Sequence, residues 1–214
     1  MVPDAARNSS PWQAGTPCNA CAFGAFAETM NASQDKLTED IERAARSSFS
    51  ELLTRHRDET FYAFALYTDE SCFTVLPAAN SLEQYHASLQ RMDATEPQER
   101  AAYKWSSADW ASECFAAPSF DGICEQLSQR ASMLPGDPVT FATFKAEVHH
   151  AMTVALRRLD DGGFFGERRG GLVLFITSSD DEEAQELEEV SARALNPPTV
   201  YEAFRRRYAV DGCQ

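Results

Sequence analysis

The spacing of hydrophobic positions divides the chain into helical and extended stretches. Leu37, Ile41, Ala45, Phe49, Leu52 and Leu53 recur at three- and four-residue steps with charges between them. This predicts an amphipathic helix from about Asp35, with Ser33 or Asp35 as its cap. Residues 61–67 and 72–76 are apolar, β-rich runs flanking Asp69-Glu70-Ser71, and predict an antiparallel hairpin. In the first run Tyr62, Phe64 and Leu66 alternate with Phe61, Ala63, Ala65 and Tyr67, so both faces are apolar and the strand should be covered on both sides. Pro77-Ala78-Ala79-Asn80 reads as a break. After it, Asn80 or Ser81 caps a helix through about Met92 that uses Leu82, Tyr85, His86 and Leu89.

Residues 93–98 read as a loop. A short helix follows from the stretch 103–110, with Ser106 or Ser107 as N-cap and Asp109 in its first turn. A second helix covers about 120–133, and the longest runs from about 139 to 159 with Phe141, Phe144, Val148, Met152, Ala155 and Leu159 as its stripe. Residues 170–178, GGLVLFITS, form a continuous apolar run best read as a buried central strand. An acid-rich helix over about 181–195 ends at Asn196-Pro197-Pro198, and Pro198 opens a last helix through about Tyr208. Residues 1–33 mix Pro, Ser, Ala, Asn and Gly without periodicity and are expected to be a flexible tail.

This order predicts an α/β fold of the α+β type in a single globular domain over 34–214. A small, mostly antiparallel sheet is built on the hairpin, with 172–176 in the same sheet and several helices packed on it. Phe64 and Leu174 are expected core residues.

Composition adds a charge argument. The 214 residues hold 33 acids against 19 Lys and Arg, a formal net charge of −14. Nucleic-acid binding requires a concentrated basic footprint, so it is not expected. The same charge favours a basic protein partner. No apolar run approaches the ~18 residues of a membrane span. The first fifteen residues lack the apolar region of a secretory signal, so a cytoplasmic protein with no membrane association is expected.

Candidate chemistry is sparse. Of six cysteines, Cys72 and Cys124 read as buried thiols. Cys18 and Cys21 form a lone CxxC with no second pair at zinc spacing and no preceding strand, so no metal and no cofactor is assigned to them. The stretch 160–171, DDGGFFGERRGG, resembles a phosphate loop in composition only. A helix precedes it and a strand follows, the reverse of a phosphate cradle. His149 and His150 are adjacent on a helix, diverge by about 100° and do not converge on one ion. No catalytic residue is assigned.

Two surfaces remain as candidates. Asp181, Glu182, Glu183 and Glu186 crowd one short stretch and could dock a basic partner, although such a run is commonly a solvated face. Tyr103, Trp105 and Trp110 cluster nearby in sequence and suit either a core or a recognition surface; with Asp109 they could line a pocket.

FYAFALYTDE, VLPAAN, YKWSSADW, the Gly163-Phe164-Phe165-Gly166 turn before an apolar strand, and SARALNPP occur here in order. Together they resemble the bacterial domain-of-unknown-function family numbered 4303, over roughly residues 37–208. The resemblance implies a compact α/β domain and carries no catalytic residues with it. By analogy with small acidic α/β domains, the first expectation is a non-enzymatic protein-binding domain, an immunity-type protein that neutralises a toxin through its acidic surface. The alternative is an enzyme or small-molecule binder with a pocket near Tyr103, Trp105, Asp109 and Trp110. Oligomeric state is left open.

Overall fold

The computed structural model describes residues 19–179 and 184–209, with side chains from Ser33 onward, so the side chains of Cys18, Cys21, Asp180, Asp181, Glu182, Glu183 and Cys213 lie outside what it describes. The chain divides into two units, Met1–Ser33 and Gln34–Gln214. Helix α1 (Asn19–Arg55) begins well before Asp35. Ala20, Ala22, Ala25, Ala27 and Ala32 favour helix by intrinsic propensity without making an apolar stripe, which is why periodicity missed this portion. The second unit carries the sheet and the helices that cover it.

Four strands form one mixed sheet: β1 (Phe61–Asp69), β2 (Val75–Ser81), β3 (Ser112–Glu113) and β4 (Val173–Ser179), in the order β3-β2-β1-β4. β2 pairs antiparallel with both β1 and β3, whereas β4 runs parallel to β1, Phe64 opposite Leu174.

The hairpin turn is organised by one side chain. Asp69 accepts hydrogen bonds from the backbone N–H of Ser71 (2.9 Å), Phe73 (3.2 Å) and Thr74 (2.7 Å), and from the Thr74 hydroxyl (2.6 Å). Cys72 therefore sits in the turn, at φ 55, and not in a strand; β2 starts three residues later. Burial pushes the Asp69 carboxyl up, but the bonds from Thr74, Phe73 and Ser71 outweigh it and hold the group below its usual value. A depressed carboxyl stabilises the fold above its unfolded value and loses that contribution as pH falls through the folded one. Asp69→Asn should therefore cost about 1–2 kcal/mol at neutral pH. The gap from wild type should close below about pH 4. A gap of constant size between pH 7 and pH 2 in denaturant titrations would contradict this.

Pro77 does not break the chain, contrary to the expectation from sequence, but lies inside β2 opposite Leu66. Its carbonyl accepts from the Cys114 N–H at 3.0 Å, on the side away from β1. The missing proline N–H faces that same outer side, so the β1–β2 ladder loses nothing.

The register of β1 shifts between Phe61 and Ala63. This irregularity overturns the simple alternation expected there: Phe61 packs with Phe64 and Leu66 on one face, and Tyr62 joins Ala63, Ala65 and Tyr67 on the other. The first face is covered by α1, α4 (Asp121–Ser132) and α5 (Pro138–Asp161), through Ile41, Phe49, Leu127, Val148, Met152 and Leu156 among others. The second carries α2 (Leu82–Met92), Trp110 and α7 (Pro198–Arg205), through Tyr85, Leu89 and Phe204. Phe64 and Leu174 are both fully buried, as expected. Ser81 caps α2 by accepting from the Gln84 N–H (3.1 Å), and Asp137 caps α5 by accepting from Thr140 (2.9 Å).

Two further expectations are corrected. Residues 93–98 are not all loop, because α3 (Pro97–Trp105) starts at Pro97, and only a three-residue 3₁₀ turn, Ser107–Asp109, follows Ser106. Proline suits the first helical turn as well as it suits a loop, which is why the two readings competed. The apolar run near 170–178 is buried but not central. β4 is an edge, and helix α6 (Ala184–Leu195) with the residue after it occupies its open side. Asn196 accepts from the Leu174 N–H (2.9 Å) and donates to the Leu174 carbonyl (2.7 Å), while the Ser191 hydroxyl accepts from the Ile176 N–H (3.0 Å). Side chains thus take the place of a neighbouring strand. No helix among the described residues is long and apolar enough to cross a membrane.

Candidate functional site

The β1 irregularity turns Tyr62 toward α3, and the second sheet face opens there into a cleft between α3 and α7 of about 930 Å³. Its floor and walls include Tyr62, Tyr85, Trp105 and Phe204.

The hydroxyls of Tyr62 and Tyr85 are spent on the protein itself. Tyr62 Oη donates to the Lys104 carbonyl at 2.5 Å and accepts from Asn80 Nδ2 at 3.0 Å, and Trp110 Nε1 donates to the same carbonyl at 3.1 Å. Tyr85 Oη donates to the Arg100 carbonyl at 3.3 Å. Burial pushes the Tyr62 hydroxyl far above its usual range, so it stays protonated as a donor. The C-terminal half of α3 is pinned by these bonds, and the rings turn their faces and edges to the cleft. Trp105 meets Tyr62 and Phe204 edge-on, at centroid distances of 5.5 and 5.3 Å.

Among the described residues, every charged side chain lining the cleft is a cation: Arg100, Lys104 and Arg207. The Lys104 ammonium lies 5.3 Å from the Trp105 ring centre, 5.6 Å from Tyr62 and 6.0 Å from Tyr85. Rings attract such a charge without neutralising it. Neither Arg100 nor Lys104 forms an ion pair among the described residues.

Arg207 differs. Its side chain is 4% exposed, its Nη2 donates to Glu188 Oε2 at 2.7 Å, and Glu188 Oε1 accepts from the Thr177 hydroxyl at 2.7 Å. The guanidinium lies 4.1 Å from the Phe204 ring centre. Its Nε–H is buried with no acceptor among the described residues.

Of the residues singled out from sequence, Trp105 lies in this cleft. Trp110 is buried beneath it, edge-on to Tyr62 and Phe175; Tyr103 is half-buried in the same packing without lining the space; and Asp109 is exposed in the 3₁₀ turn outside it. Asp181, Glu182 and Glu183 lie outside the described residues. Glu186 is exposed and borders a smaller depression of about 350 Å³ with Lys145 and His149. Glu186, the described member of the acidic candidate, is not among the residues that line the cleft. Cys72 Sγ lies 3.5 Å from His149 Nε2, but the thiol is wholly buried and cannot meet a substrate. Cys124, expected to be buried, is half-buried, with its thiol 3.6 Å from the Val75 carbonyl. No group of three or more metal-ligating side chains occurs among the described residues.

The sequence alone does not mark Tyr62, Tyr85, Arg100, Lys104, Phe204 and Arg207 as site residues. One signal was available: Arg100 and Lys104 stand four apart, on one face of any helix that starts at Pro97.

Residues 41–197 match the family described as Domain of unknown function (DUF4303). No curated protein and no solved structure matches the chain.

Proposed function

The chain belongs to the DUF4303 family, and we propose that it is a binding protein whose cleft between α3 and α7 takes an organic anion carrying a flat ring. One observation carries the reading: in a chain of net charge −14, the described lining of the cleft includes three cations and no acid, set among aromatic rings. A concave, apolar site with a few convergent charges is the usual form of a small-molecule site. A locally cationic cleft also concentrates anions against the overall field.

Naphthalene-1-sulfonate and neutral 1-naphthol share a ring and differ in charge, so their titration tests the proposal. The sulfonate should bind more tightly, and Lys104→Glu should weaken it by about tenfold while leaving naphthol little changed. Equal binding of the two probes, or a sulfonate affinity indifferent to Lys104→Glu, would contradict the proposal.

A second reading keeps the immunity-type role, in which the acidic surface engages a basic protein partner such as a toxin. What favours it is the outer side of α6, where exposed Glu186 and Glu189 stand beside Val190, which is 61% exposed. Acidic and apolar groups side by side suit a protein contact. On this reading, reversal of Glu182, Glu183 and Glu186 to Lys abolishes capture of the partner encoded by a neighbouring gene. Capture unchanged by the reversal would remove it.

A further inference from the structure

We infer that the cleft is built for a doubly charged oxyanion on a flat ring, either a phosphate monoester or a dicarboxylate; this rests on the anion-binding reading and narrows it. Three observations converge. Glu188 already balances the charge of Arg207 through a buried bond of 2.7 Å, which leaves Arg100 and Lys104 as the two uncompensated charges of the described lining. These two are a helical turn apart on α3, where like charges repel unless something negative lies between them. A ligand of charge −2 matches that pair, and a single carboxylate leaves one cation unbalanced.

The third observation is Arg207 itself. Its Nη2 bonds Glu188 and its Nη1 donates to the Phe204 carbonyl at 3.3 Å, so Nε is the guanidinium nitrogen that makes no hydrogen bond among the described residues. The Phe204 ring beneath it attracts the charge but offers this N–H no lone pair. A buried N–H without a partner is uncommon in a native fold and calls for an acceptor beyond the described residues. Arg207 lines the cleft, and a ligand oxygen that displaces the side chains shielding Nε supplies that acceptor. The rings of Trp105 and Phe204 then hold the body of the ligand, and the ring hydroxyls take no part because they are committed to the backbone of α3.

The test uses one ring with charge varied, titrated by calorimetry on the full chain: 1-naphthyl phosphate, naphthalene-1,2-dicarboxylate, naphthalene-1-sulfonate and 1-naphthol. The preferred dianion should bind about tenfold or more tightly than the sulfonate. The phosphate and dicarboxylate arms decide which oxyanion is taken. The affinity of naphthyl phosphate should fall as pH is lowered through the second phosphate ionisation near about 6, while that of the sulfonate stays level. Arg100→Ala should remove most of the dianion's advantage. Arg207→Ala breaks a buried ion pair and can unfold the chain, so Arg207→Lys serves as well; it keeps the charge, loses Nε, and should weaken the dianion by about tenfold with the sulfonate less affected. If both dianions bind no better than the sulfonate, the inference is wrong and the anion-binding reading stands. If the sulfonate binds no better than naphthol, that reading falls and the inference with it.

Discussion

Phe64→Ala should destabilise the fold by about 3–5 kcal/mol. Phe64 is fully buried in β1, a central strand, and its ring meets Phe49 of α1 edge-on at 4.7 Å, Phe61 at 5.3 Å and Phe165, beyond the end of α5, at 5.4 Å. Its neighbours belong to different elements, and each is held by its own packing. They cannot all collapse into the vacated space, so both the transfer loss and the cavity remain. Phe64→Leu, which preserves most of the volume, should cost under about 1.5 kcal/mol if its neighbours repack. Urea titration distinguishes the two, and Phe64→Ala unfolding at the wild-type midpoint would overturn the packing assigned to the first sheet face.

Asn196→Ala should cost about 2–4 kcal/mol, large for a single polar side chain. Asn196 accepts from the Leu174 N–H and donates to the carbonyls of Leu174 (2.7 Å) and Ala192 (2.8 Å). Removing it strands an N–H and a carbonyl of the buried edge strand together. Asn196→Asp keeps the acceptor but sets a carboxylate against two carbonyl oxygens, so it should be at least as harmful at neutral pH and recover partly in acid. Hydrogen exchange gives the local readout: the Leu174 amide should lose protection in both variants beyond what the global change explains. Unchanged protection at Leu174 would mean that Asn196 does not cap the strand.

These two residues also mark how far the sequence was legible. Phe64 was readable because alternation in an apolar run reports burial directly, and the long helix with its stripe from Phe144 to Leu159 was readable for the same reason at the helical period. The standing of β4 was not. A continuous apolar run looks the same whether a strand or a helix covers its side, and here Asn196 and Ser191 supply the missing ladder from beyond the strand. Pro77 reads as a break because proline punctuates most chains; which side of the strand its absent N–H faces is decided only by pairing.

The cleft was the least legible part. Trp105 was visible as an aromatic with recognition potential, but its partners come from β1, α2, α3 and α7, and the irregularity that turns Tyr62 toward them has no local signature. The acidic composition also pointed away from it. Net charge sums over the whole surface, whereas a site depends on the few charges that face it.

The central claim, that this cleft is locally positive, can be tested without knowing the ligand, by quenching tryptophan fluorescence with iodide and with caesium. Trp105 is half-buried in the cleft and Trp110 is buried; Trp12 and Trp110 are common to both proteins, so the difference between wild type and Trp105→Phe isolates the Trp105 signal. Relative to the iodide-to-caesium ratio of free N-acetyltryptophanamide, that signal should favour iodide by about twofold or more, and the preference should reverse in Lys104→Glu. A ratio equal to that of the free indole, or shifted toward caesium as the overall charge of −14 alone would dictate, would contradict it.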